Sequence, residues 1–121
     1  MDVITTAILT AVTNLVVKDS YKSFIIALKK KIGEKSDLIN AIKELENKPN
    51  SEARKATVKE EVEIAKVNDY PELVKLAQDL LDRIKEQPGG EQFINQTISN
   101  VKYAATSGTG TASITNITEQ D

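Results

Sequence analysis

Cysteine and histidine are both absent from the sequence. Without thiols there is no disulfide framework, no thiolate nucleophile and no zinc–thiolate site. Without imidazole, the commonest acid–base group and metal ligand near neutral pH is missing. An enzyme built from the remainder would rely on carboxylates, lysine, serine or tyrosine. The acids Glu60, Glu61, Glu63, Asp79 and Asp82 recur at spacings expected of solvated helix faces. The expectation is no enzyme, no cofactor and no metal. Tryptophan is also absent and aromatics make up 4%, so any core must be built from Leu, Ile, Val and Ala. Sixteen basic residues stand against eighteen acidic ones. No overall basic surplus exists to neutralise phosphates, which argues against a nucleic-acid partner.

Charge is missing altogether from residues 3–17, VITTAILTAVTNLVV, ten of which are apolar. Asp2 precedes this run and Lys18 ends it. A signal peptide would carry basic residues before the run and a cleavage site after it, so a cytoplasmic protein is expected. As a helix the run spans about 22 Å, short of the ~30 Å hydrocarbon core of a bilayer.

What is present divides the 121 residues by charge. Residues 1–35 have a net charge of +3, residues 36–87 a net of −3, and residues 88–121 a net of −2. Up to residue 87 the apolar period is helical. Ile4, Ile8, Ala11, Val12 and Leu15 form one stripe, with Thr6, Thr10, Thr13 and Asn14 on another face. Tyr21, Phe24, Ile25, Leu28 and Ile32 form a second stripe closed by Gly33, and Leu38, Ile39, Ile42 and Leu45 a third behind Ser36. A fourth helix follows Asn50 or Ser51, and a fifth starts at Pro71 with Leu73, Leu76, Ala77, Leu80, Leu81 and Ile84 inward. The expected fold is all-α: a bundle of four to five helices over residues 1–87, a hinge at 88–92, and a tail over 93–121.

The tail has another composition. Residues 92–118 contain one charge, Lys102, no proline, and sixteen Ser, Thr, Asn, Gln or Gly. Strand-like stretches at about 97–105 and 111–118 flank Ser107-Gly108-Thr109-Gly110. Two isolated strands are marginal in water, but stacked on copies of themselves they satisfy every backbone group. Such stacking places each charge ~4.8 Å from its own copy, so a charge-poor segment suits it. Composition alone equally suits a disordered, polar tail. The stacking core is expected at Ile98, Asn100, Val101, Tyr103, Gly108, Gly110, Ile114, Asn116 and Ile117.

Several segments resemble a known arrangement. MDVITTAILTAV, SYKSFIIALKKKIG, LINAIKELENKPNSEARKATVKEEV and YPELVKLAQDLLDRI are similar to the bacterial Bell domain. QTISNVKYAATSGTGTASITNI resembles bacterial amyloid signalling sequences and, loosely, the RIP homotypic interaction motif. An Ile-Gln-Ile-Gly tetrad is lacking, with Ile114-Thr115-Asn116-Ile117 its nearest substitute. The resemblance implies a cell-death effector analogous to fungal HeLo bundles. Its tail would be templated by an NLR-like receptor carrying a matching motif. It would then form a fibrillar homo-oligomer, move from cytoplasm to cell membrane and permeabilise it. Membrane insertion would fall to Val3, Ile4, Ile8, Leu9, Val12, Leu15 and Val16, and headgroup contact to Lys18, Lys22, Lys29, Lys30 and Lys31. Two plainer readings stand beside it: the first run is a core helix, and the lysines are a solvated face. The alternative function is a helical adaptor, recruited through the tail without membrane activity.

Overall fold

A computed structural model describes residues 1–109, and the side chains of residues 1–14 and 16–100. The described residues are all-α and form six helices: α1 Val3–Ala11, α2 Lys18–Ile32, α3 Asp37–Asn47, α4 Glu52–Ala65, α5 Pro71–Lys85 and α6 Gly90–Thr109. Short 3-10 turns at Leu15–Val17 and Val67–Asp69 link α1 to α2 and α4 to α5.

The helix ends follow local chemistry. Ser36 and Ser51 accept the backbone N–H of Ile39 and Arg54, which satisfies donors left free at the starts of α3 and α4. Pro71 opens α5, where its missing N–H costs nothing. Gly33, at φ 95°, ends α2 in a conformation that favours glycine. Gly90 is required for a different reason: a Cβ there would lie 1.9 Å from the carbonyl oxygen of Ile84.

α1 lies at the centre, packed on α5 and touched by α2, α4, α6 and the second 3-10 turn. Every residue from Ile4 to Ala11 is buried. A helix holding three threonines can be buried because each hydroxyl has a partner within the helix. Thr5 donates to the Asp2 carboxylate, Thr6 to the Asp2 carbonyl and Thr10 to the Thr6 carbonyl. The polar face expected at Thr6 and Thr10 is therefore interior. α1 is also shorter than the uncharged run that contains it. It stops at Ala11, and Asn14 exchanges amide hydrogen bonds with Gln87 at 3.3 and 3.4 Å while accepting the Val16 N–H.

α6 starts inside the expected hinge and takes in residues 93–109, which composition assigns to the tail. The strand-like stretch 97–105 is helical here. Phe93, Ile94, Thr97 and Ile98 recur at helical spacing. Ile94 and Thr97 are buried, and Phe93 and Ile98 pack on the core. Abundant Ser, Thr, Asn and Gln masked that period. Docking against a preformed apolar surface overrides the weak local preference. Residues 110–121 lie outside the described residues.

Candidate functional site

The candidate site is α1 together with the helix that covers it. α6 rests on α1, α4 and α5. Ile4 and Ile8 are fully buried and Leu9 is 1% exposed. Val3 and Val12 are half-buried, packed at the edge of the same core. Val16, on the 3-10 turn, is 78% exposed. Leu15 shares that turn, and its side chain lies outside the described ones. The expected insertion residues thus do not share an exposed face. Ile4, Ile8 and Leu9 are in the interior of the bundle, and Val3 and Val12 pack at its edge.

The N-terminus of α1 is fixed by Asp2. Burial pushes its carboxyl up, but hydrogen bonds from the Thr5 N–H, the Thr5 hydroxyl and the Asn68 amide outweigh that and hold it below the ordinary carboxylate range. Asn68 belongs to the turn between α4 and α5, so one carboxylate both caps α1 and ties it to the bundle.

The seam between α4 and α6 is more polar. A cavity of about 170 Å³ is lined by Leu9, Thr13, Asn50, Lys55, Phe93, Gln96, Thr97 and Asn100. Lys55 is only 8% exposed and its ammonium lies 3.3 Å from Glu52 Oε1. Glu52 Oε2 is buried and has no hydrogen-bond partner among the described residues. Lys55 is thus largely removed from water beside a half-exposed Glu52, so the Coulomb attraction of the pair is set against the cost of desolvating the ammonium. Sequence reasoning missed Lys55. The available signal was a lysine three residues before Val58 and seven before Val62, on the buried stripe of α4.

The expected headgroup lysines separate into two sets. Lys18, Lys22 and Lys30 are exposed and Lys29 half-exposed on α2. Lys31 instead turns towards α5, 2.8 Å from Glu72 and 5.2 Å from the centre of the Tyr70 ring. The Glu72 hydrogen bond and charge raise the Lys31 ammonium above its ordinary value, and the Lys31 hydrogen bond lowers the Glu72 carboxyl in turn.

Of the expected stacking residues, Ile98 packs on the core and Asn100 sits at the rim of the polar cavity. Val101, Tyr103 and Gly108 lie on the α6 backbone, with side chains outside the described ones. Gly110, Ile114, Asn116 and Ile117 lie outside the described residues. Glu60, Glu63, Asp79 and Asp82 are exposed and Glu61 half-exposed on α4 and α5. Among the described residues no group of three or more acids could hold a metal ion, and no helix is long and apolar enough to cross a membrane.

A family model described as the Het-E N-terminal domain matches residues 1–121. No curated protein and no solved structure matches the chain.

Proposed function

The chain belongs to the Het-E N-terminal domain family, a HeLo-like helical cell-death domain, and from that premise we propose that it is a regulated membrane effector switched by its own C-terminal segment. One observation carries the reading. α6, which covers the apolar α1, is drawn from the same residues whose composition suits cross-β stacking. Ile98 and Asn100 contribute to the helical cover at rest and to the expected stack when assembled.

A residue cannot be helical and extended at once. Templating of the tail by an NLR-like receptor with a matching motif therefore removes the second half of α6 from the bundle. Stacking several chains raises the local concentration of bundles, because few residues separate α5 from the stack. With its cover gone, α1 loses part of the burial that held it. Residues 3–17, extended as one helix, reach about 22 Å, and several copies inserting together thin the bilayer to match. In this account the resting protein is cytoplasmic and the assembled one acts at the cell membrane. No catalytic group or cofactor takes part.

The adaptor reading keeps the assembly and drops the membrane step. Dye release from vesicles separates the two. Fibrils of peptide 90–121 are added as seeds to the full chain, and the same is done with Ile114→Lys, which repeats a charge at every layer. The effector reading expects fibrils and leakage from the native chain and neither from the variant. Fibrils without leakage would favour an adaptor. Wild-type fibril formation by Ile114→Lys would remove the stacking assignment.

A further inference from the structure

We propose that the cavity between α4 and α6 is a binding site for a small organic carboxylate, and that its occupant clamps α6 to the bundle. The cavity has a buried floor and a polar mouth: Leu9, Lys55 and Thr97 are buried, whereas Asn50, Gln96 and Asn100 are exposed. Lys55 brings a positive charge to the lining, and no acid among the described residues lines it. Glu52, which shares the Lys55 ammonium at 3.3 Å, stands outside the lining. An ammonium has three donors, and among the described residues Glu52 Oε1 is the hydrogen-bond partner of one. The others are largely withdrawn from water, so an acceptor entering the cavity supplies bonds that the fold leaves unmade.

Charge and size narrow the ligand. One ammonium already shared with a carboxylate balances a single negative charge, so a dianion such as phosphate would carry uncompensated charge into the seam. Leu9 and Phe93 offer apolar contact to a carbon skeleton, which an inorganic ion lacks. The volume of about 170 Å³ is close to that of a cavity which holds benzene, so the ligand has roughly six to eight non-hydrogen atoms. The carboxamides of Gln96 and Asn100 suit a hydroxyl or carbonyl group on it. Lys55 belongs to α4, and Gln96 and Asn100 to α6. A ligand bridging these walls binds while α6 is docked and therefore favours the docked state by mass action. Asn100 is also an expected stacking residue, so in the effector reading, on which this consequence rests, the occupant opposes templating.

The test is a titration of the unseeded full chain with lactate, 2-hydroxybutyrate and 2-hydroxyvalerate, beside lactamide and inorganic phosphate at matched ionic strength. Amide chemical shifts and hydrogen exchange are read together. At least one carboxylate is expected to shift the amides of Lys55, Gln96 and Asn100. At about ten times its dissociation constant it should slow exchange over residues 91–100 about tenfold and leave α3 unchanged. Lys55→Met should weaken binding about thirtyfold and Asn100→Ala about fivefold. Lys59→Met, which removes an ammonium paired with Glu63 elsewhere on α4, should leave binding unaltered. Circular dichroism checks that each bundle is intact, and if Lys55→Met does not fold, lactamide and Asn100→Ala decide. Equal effects of lactamide, tighter binding of phosphate, undiminished binding by the two cavity variants, or no response to any of the carboxylates would overturn the proposal. Seeded fibril growth is then followed with and without the bound carboxylate. Delayed growth upholds both the site and the effector reading. Undelayed growth while α6 exchange is slowed would uphold the site and remove the release of α6 from the account of assembly. Absence of fibrils from both samples would remove the effector reading and leave the site standing.

Discussion

α5 and α6 both pack on α1, but they hold it differently. α5 turns Leu73, Ala77, Leu80, Leu81 and Ile84 inward, all buried. α6 contributes Ile94 and Thr97 as buried side chains, with Phe93 and Ile98 partly buried, and beneath it lies a polar cavity with Lys55 at its wall. Apolar burial contributes about 25 cal/mol per Å², so a seam of five apolar side chains outlasts one of three and a threonine. The pair of seams has a hierarchy. The α1–α5 contact is the permanent body of the domain, and α6 is the part that opens at lower cost.

Four substitutions test that hierarchy, in falling order of effect. Leu80→Ala, at the centre of the α5 seam, should cost about 4 kcal/mol of global stability in urea unfolding, because the cavity it leaves is enclosed on all sides. A loss no larger than that of Ile94→Ala would erase the distinction. Gly90→Ala forces a methyl onto the Ile84 carbonyl oxygen and should cost about 3 kcal/mol. Hydrogen exchange should quicken over residues 91–100 and stay slow over 73–84. Uniform acceleration would mean that the two helices open together. Ile94→Ala should cost about 2 kcal/mol, below the figure for an equally buried α5 residue, because α6 can detach without unfolding the rest.

Asp2→Ala should cost about 1 kcal/mol and leave α6 exchange unaltered, since the cap joins α1 to the α4–α5 turn. Its carboxyl titrates lower in the folded chain than in the unfolded one. Its contribution is therefore full above the unfolded value and is lost as pH falls through the folded value. In acid titrations the difference between native protein and Asp2→Ala should shrink below about pH 4. A difference that grows on acidification would show that the carboxylate is not stabilised as described.

Much of the bundle was legible in the sequence because apolar residues at helical spacing report burial directly. The stripes at Tyr21–Leu28, Leu38–Leu45 and Leu73–Ile84 became α2, α3 and α5, with Gly33, Ser36 and Pro71 at their ends, although Leu76, expected inward, is 36% exposed at the edge of the α5 stripe. Other features were not. Thr5, Thr6 and Thr10 look polar in a sequence, yet their hydroxyls bond within the first turns of α1, and the helix is buried all round. Phe93, Ile94 and Ile98 were diluted by polar neighbours with little preference for helix, and only the surface offered by α1, α4 and α5 decides their state. Lys31 was grouped with the other lysines by its neighbours in sequence. Its rotation around α2 brings it to Glu72 instead.

The central claim is that assembly of the C-terminal segment uncovers α1. Its most direct test is hydrogen exchange of the full chain followed during seeded fibril growth. The account predicts that amides of residues 5–11 lose protection in step with the fibril signal, while those of α3 stay protected for longer. Fibrils and vesicle leakage that develop with residues 5–11 as protected as in the unseeded chain would contradict it.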